Sequence, residues 1–268
     1  PNTVTINTGS DDTGYGLFNI GFNFTYNGVV YTQVGVQANG MVGMGIVPSN
    51  TYPQATAFGS NNIVCAFNRD LYGLAANGAK MMYLTSGVAG SRVFTAEWKN
   101  WGHWSSGLAE INFQIQLFEG SNNIQTVYAP GTISTSVTGT VGLRGASASD
   151  VNVRTTTTNW LATTSGLNTD QCTYNASVFP ASGTTFTWTP PSVCTGTPTA
   201  GSIPATITAC GNTPQTINIT GYTTGATGIT FAWEESDDNG GIDPWGPVVG
   251  GSGATTASYT TAAYTGVR

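Results

Sequence analysis

The stretch GFNFTYNGVVYTQVGVQANGMVGMG, residues 21–45, predicts an antiparallel β-sheet. Apolar and polar residues alternate along it and along the residues before it, as on a strand that buries one face. The residues predicted to share that face are Phe18, Ile20, Phe22, Phe24 and Tyr26. Asn-Gly pairs interrupt the run at 27–28 and 39–40, and Asn-Gly favours the type I′ turn of a two-residue hairpin. We therefore expect both pairs to be corners between successive strands.

Short strand-like segments continue along the chain. They are NIVCAF, KMMYLT, SRVFTAEWKNW, EINFQIQLFEG, NNIQTVYA, GTVGLRG and GTTFTWTP. In INFQIQLF the apolar residues Ile111, Phe113, Ile115 and Leu117 alternate with Asn112, Gln114 and Gln116. No segment shows a convincing helical stripe, and many short strands at intervals of about 8–12 residues are typical of sandwiches. The sequence predicts an all-β protein whose main domain is an antiparallel β-sandwich or jelly roll.

A proline-rich stretch, residues 187–204, predicts a boundary between two domains. Its prolines block continuous strand pairing and form a stiff connector. We predict a β-sandwich domain at 1–189 and a smaller domain at 190–268. In the latter, a cysteine-bearing strand, a strand around Trp233 and a tyrosine-bearing strand follow an immunoglobulin-like order. We expect this second domain to continue beyond Arg268.

The composition excludes several classes of partner. Charged residues make up only 7% of the chain, against about 25% in a typical domain, and the net charge is −6. Phosphate recognition needs clustered Lys and Arg, so neither nucleic acid nor an anionic membrane surface is expected as a partner. No apolar run approaches the roughly 20 residues of a membrane-spanning helix.

The four cysteines are Cys65, Cys172, Cys194 and Cys210. No pair has CxxC spacing and there is one histidine, so a zinc site is not predicted. Three full pairings are open, and Cys65 is equally compatible with a buried thiol. Low charge, threonine richness and the two cysteines around the connector favour an oxidising, extracellular setting.

Longer motifs resemble a known group of proteins. Residues 21–45, together with FNRDLYG, RVFTAEWKNW, NFQIQLFEGSNNIQTVYAPG and VGLRGASASD, are similar to the β-sandwich domains of secreted Bacteroidota surface and adhesin-like proteins, typical cargo of type IX secretion. The tail is similar to the immunoglobulin-like repeats that follow such domains. The resemblance implies an extracellular, cell-surface location. It also implies that the partners of Cys194 and Cys210 lie beyond Arg268.

The segment WKNWGHWSSG contains the single histidine, His103. With Trp98, Trp101 and Trp104 it is the candidate sugar-binding platform, because aromatic rings stack on sugars. His103 is alternatively a general base near Glu97 or Glu110, or a loop histidine beside core tryptophans.

We predict that the protein is not an enzyme. A serine triad has no G-x-S-x-G motif to support it. The neighbouring carboxylates Asp11–Asp12 and Glu234–Glu235 would point to opposite faces of a strand, which is poor geometry for acid–base catalysis.

An acidic segment near the C-terminus is a candidate calcium site. Its oxygen-bearing residues are Asp237, Asp238, Asn239 and Asp243. They lack EF-hand spacing, and the alternative is a solvated Asp-Asn-Gly-Gly turn. No other cofactor is predicted.

Two functions are compatible with these features. The first is an extracellular structural or adhesive protein, a subunit or module of a cell-surface fibre that self-associates. Here residues 1–9, predicted to be an edge or free strand, or the second module would bridge subunits. The alternative is a lectin-like carbohydrate-binding module. Burial of the three tryptophans and formation of a regular polymer are the observations that distinguish them.

Overall fold

The structure is a computed structural model. It describes residues 4–49, 60–104, 106–134, 136–156, 158–162, 164–166, 170–191, 198–208, 212–224 and 229–263. Two compact units divide the chain, Pro1–Pro190 and Pro191–Arg268.

The first unit contains fifteen strands and two single-turn 3-10 helices in its described residues. The strands are β1 Val4–Asn7, β2 Gly14–Tyr26, β3 Val29–Gln37, β4 Met41–Met44, β5 Ile63–Asn68, β6 Leu71–Tyr72, β7 Lys80–Ser86, β8 Val93–His103, β9 Ile111–Phe118, β10 Ile124–Pro130, β11 Val137–Arg144, β12 Val151–Thr155, β13 Thr164–Gly166, β14 Cys172–Tyr174 and β15 Thr185–Trp188. The helices are Ala75–Asn77 and Trp160–Ala162.

These strands form two antiparallel sheets, which confirms the predicted all-β, sandwich-like fold. The first sheet has the order β1-β7-β8-β9-β10-β15, with β6 also paired to β8. The second has the order β13-β12-β11-β5-β4-β3-β2, with β14 also paired to β11. β1 is an edge strand of the first sheet, because its described residues pair with β7.

The inner faces of the two sheets form one apolar core. In β9 the four predicted apolar residues are each at most 2% exposed, while the intervening polar residues remain partly exposed. In β2 the predicted face is also buried from Ile20 to Tyr26. Trp98 and Tyr128 connect the sheets by donating hydrogen bonds to the carbonyl oxygens of Ala38 (3.2 Å) and Ala66 (2.7 Å). Burying each large apolar side chain stabilises the fold by about 1.5–3 kcal/mol.

The two Asn-Gly pairs form different turns. Asn27 and Gly28 both have positive φ, 49° and 75°, which confirms the type I′ turn between β2 and β3. The type I′ prediction for the second pair is wrong. There Gln37 pairs with Met41, the loop has three residues, and of its members only Gly40 (φ 81°) is left-handed. Asn39 lies instead inside the protein, fully buried, where its Oδ1 accepts the N–H of Leu71 at 2.8 Å.

The second unit has little regular structure in its described residues. Its strands are β16 Thr216–Asn218, β17 Glu234–Glu235, β18 Gly246–Pro247 and β19 Ser258–Thr260, paired as β16-β19 and β17-β18. Trp233 stacks on the buried Tyr259 with ring centroids 5.6 Å apart. The immunoglobulin-like strand order remains a prediction, and Cys194 and Cys210 lie outside the described residues.

Candidate functional site

Two of the three candidate tryptophans are core residues. Trp98 and Trp101 are both 0% exposed. Trp98 stacks on Phe113 at 4.9 Å, and Nε1 of Trp101 donates to the carbonyl of Lys80 at 2.9 Å. Neither ring is available to a sugar, so the predicted platform of three tryptophans is not formed. Trp98 and Trp101 are three positions apart, and two residues at that spacing on a regular strand point to opposite faces of the sheet. Here the register shifts between them, with Asn100 at φ 58°, so that both side chains point into the core.

Trp104, in contrast, is a surface residue with half of its area exposed. It follows β8 directly, and its N–H donates to the carbonyl oxygen of Asp70 at 2.9 Å. Its ring lies edge-on to that of Tyr72, with centroids 5.6 Å apart. Of the three predicted tryptophans, the structure therefore leaves Trp104 exposed, beside the partly exposed ring of Tyr72.

His103 pairs with Glu110 rather than with Glu97. Oε2 of Glu110 accepts the His103 backbone N–H at 2.9 Å and lies 2.6 Å from its Nδ1. Oε1 accepts the N–H and the hydroxyl of Ser134, at 3.1 and 2.7 Å. Burial acts to raise the pKa of Glu110, but the bonds from Ser134 and His103 outweigh it and hold this pKa below its ordinary value. A carboxylate with these four contacts acts as an anchor that ties the end of β8 to Ser134, and it is a poor general base.

Three aspartates meet beside the aromatic pair. The carboxylates of Asp11, Asp12 and Asp70 each offer an oxygen within 4.8 Å of the others, and within the described ranges they form the one such group. Asp11 forms a backbone bridge with Tyr72. Burial, followed by the charges of Asp12 and Asp70, raises the pKa of Asp11. Nothing in the sequence predicted this group, because Asp70 is far along the chain from the other two.

Together these residues form what we call the Trp104 surface. Its members are Asp11, Asp12, Asp70, Tyr72 and Trp104. An exposed aromatic face stacks on the C–H groups of a sugar, and carboxylate oxygens accept hydrogen bonds from its hydroxyls. The surface therefore has the residue types that a glycan requires.

The predicted calcium residues form a turn. The carboxylate of Asp238 accepts the N–H groups of Gly241, Ile242 and Asp243, and these bonds lower the pKa of Asp238. Asn239 and Gly240 both have positive φ, 61° and 78°. In the described part of the chain, the carboxylates of Asp237, Asp238 and Asp243 form no group with oxygens within 4.8 Å of one another, as those of Asp11, Asp12 and Asp70 do. This geometry favours the Asp-Asn-Gly-Gly turn over a calcium site.

The cysteines that the structure describes are buried thiols. Cys65 and Cys172 are both free. Burial raises the pKa of each to about 12, so neither forms a reactive thiolate at neutral pH. The buried-thiol interpretation of Cys65 is confirmed.

Residues 1–190 match the family model described as NIDO related. The chain belongs to the NIDO-related family. The match covers 190 of 268 residues and coincides with the first compact unit, which carries the Trp104 surface. This membership is compatible with an extracellular adhesive module. No curated protein and no solved structure matches the chain. A search of the described residues found no helix that is long and apolar enough to cross a membrane.

Proposed function

We propose that this NIDO-related chain is an extracellular adhesive and structural module that self-associates into a cell-surface fibre. Family membership supports the extracellular, adhesive part of this proposal. The resemblance to secreted Bacteroidota surface proteins supports a bacterial cell surface and type IX secretion as its setting.

The proposal of self-association rests on the edges of the first sheet, which are uncharged. β1 and β15, at its two ends, contain no charged residue and no proline. Lysines and prolines at such edges normally prevent strands of different molecules from pairing. Within the described residues, β1 is paired on its β7 side and β15 on its β10 side. The other side of each strand therefore offers backbone donors and acceptors to a second copy.

Lysine substitutions at these edges test the proposal. Thr5 and Thr187 are exposed positions of β1 and β15. We expect the wild-type chain to form concentration-dependent polymers in sedimentation and electron microscopy, and Thr5→Lys with Thr187→Lys to shift it to monomer. Val88→Lys, at a 74% exposed position between β7 and β8, is the matched control and should assemble normally. A wild-type chain that stays monomeric at high concentration, or edge variants that polymerise unchanged, would refute edge pairing.

A second candidate function is carbohydrate binding, and the exposed Trp104, packed edge-on to Tyr72 beside three carboxylates, favours it. Calorimetric titration with neutral oligosaccharides tests it. Trp104→Ala should weaken binding about tenfold, the equivalent of roughly 1.4 kcal/mol. Trp245→Ala, which removes an equally exposed tryptophan from the second unit, should leave the affinity unchanged. Equal affinities for all three proteins would exclude a glycan site at this surface.

A further inference from the structure

The loop that joins β17 and β18, residues 236–245, presents large apolar side chains to solvent. Ile242 is 97% exposed and Trp245 is 54% exposed. Val249, just beyond β18, is 73% exposed. Single exposed apolar residues are ordinary, but three within eight positions of one hairpin are typical of an interaction surface.

Hydrogen bonds hold this loop in one conformation. The Asp238 carboxylate accepts three successive backbone N–H groups, including that of Ile242 itself. The Ser236 hydroxyl accepts the N–H of Gly240 and donates to the carbonyl of Asp243, both at 2.7 Å. A loop that is ordered before it binds loses less conformational entropy on association. The exposed Ile242 and Trp245 therefore lie on a loop that is already ordered by hydrogen bonds before a partner binds.

The charge of residues 234–243 indicates which kind of partner the exposed apolar residues would bind. Residues 234–243 contain five carboxylates, and the only basic residue of the second unit is Arg268. A partner with Lys and Arg around the contact would be attracted, and an acidic one repelled. An anionic membrane surface would be repelled for the same reason, although isoleucine and tryptophan suit a lipid interface.

We infer that this segment, the Ile242 loop (residues 236–245 with Val249), docks into an apolar pocket with a basic rim on a partner protein. Ile242 and Trp245 fill the pocket, and the surrounding carboxylates pair with Lys and Arg of the rim. Trp is a frequent anchor of protein interfaces. The Ile242 loop shares no residue with the two sheet edges or with the Trp104 surface.

Selection from a phage library of random short peptides against the full chain tests the inference. Selected peptides should combine Lys or Arg with large apolar residues, and their binding should weaken as salt is added. For a synthetic copy of a selected peptide, Ile242→Ser should lower the affinity at least about tenfold. Val88→Ser, at an exposed aliphatic position of the first unit, should not change it. Peptides without basic residues, or full binding by both Ile242→Ser and Trp245→Ser, would overturn the inference.

Further measurements separate docking from other uses of the loop. Asp238→Ala removes the hydrogen bonds that order the loop but keeps Ile242 and Trp245. It should therefore lower the affinity for the peptide less than Ile242→Ser does. Vesicles of phosphatidylcholine, with and without phosphatidylglycerol, test the lipid alternative. Ile242-dependent binding to vesicles without peptide binding would overturn the inference in favour of a membrane. Loss of self-association in Ile242→Ser would overturn it in favour of a second copy of this chain.

Discussion

Replacement of Glu110 by glutamine tests whether the buried carboxylate is a structural anchor. The amide keeps the shape, but its NH₂ group cannot accept the hydrogen bonds that the lost oxygen accepted. We expect the NH₂ to turn towards Ser134, because Ser134 is exposed and its N–H can bond water instead. The two contacts with His103 then remain, but they become contacts with a neutral group.

The expected cost follows from these four contacts. A hydrogen bond to a charged group contributes about 1.5–3 kcal/mol net, and a neutral one about 0.5–1.5 kcal/mol. Each of the two contacts with His103 loses about 1 kcal/mol, the difference between the low ends of these ranges, when its acceptor becomes neutral. Water replaces the bonds lost at the exposed Ser134, so these add little. We therefore expect Glu110→Gln to lower the free energy of unfolding by about 2 kcal/mol at neutral pH. Urea unfolding followed by tryptophan fluorescence measures this, because the buried Trp98 and Trp101 report on the first unit.

The same substitution should change the pH dependence of stability. The pKa of Glu110 in the folded protein lies below its ordinary value of 4.5. Its contribution is therefore fully present above pH 4.5 and is lost as the pH falls through the folded-state pKa. The gap between the wild type and Glu110→Gln should close on acidification, because a protonated Glu110 resembles the amide.

Glu97→Gln is the matched control for this experiment. Glu97 is partly exposed and accepts one bond from Gln114 at 3.3 Å, which the amide oxygen can still accept. Its cost should stay within about 0.5 kcal/mol. The anchor interpretation is wrong if Glu110→Gln costs no more than this control, or if its gap to the wild type persists in acid.

Three further predictions concern other parts of the first unit. Gly40→Ala should lower the free energy of unfolding in urea by more than Gly28→Ala does. Both glycines have positive φ, so alanine is strained at either position. A Cβ at Gly40 would also lie 2.5 Å from a backbone oxygen, whereas a Cβ at Gly28 would have no atom within 4 Å. Cys65 and Cys172 should react with a thiol reagent only after denaturation, since both are buried with pKa values of about 12. Peptide mapping separates them from Cys194 and Cys210, and fast labelling of Cys65 or Cys172 in the native protein would contradict this. Screens on glycoside, ester and peptide substrates should detect no turnover that depends on His103, because the neighbouring Glu110 carboxylate is held by four contacts. Turnover that is lost in His103→Ala would contradict this.

Local chemistry along the sequence was sufficient to predict the strands and one of the two hairpin turns. Alternation with a period of two identified the buried face of β9, from Ile111 to Leu117, because neighbouring strand residues point to opposite faces. The turn at Asn27 and Gly28 was predictable because both residue types tolerate positive φ. These features depend on residues a few positions apart, so they need no knowledge of the strand order.

Only the tertiary structure decided which polar and aromatic residues share a surface. A register shift near Asn100 turned Trp101 into the core, and the packing around Asn39 made it a fully buried residue of a three-residue loop rather than the exposed corner of a type I′ turn. Asp70 joined Asp11 and Asp12 because backbone pairing brings residues near Tyr72 back to the segment after β1. Such contacts depend on pairing between segments far apart in the chain, which a pattern of residues a few positions apart does not specify.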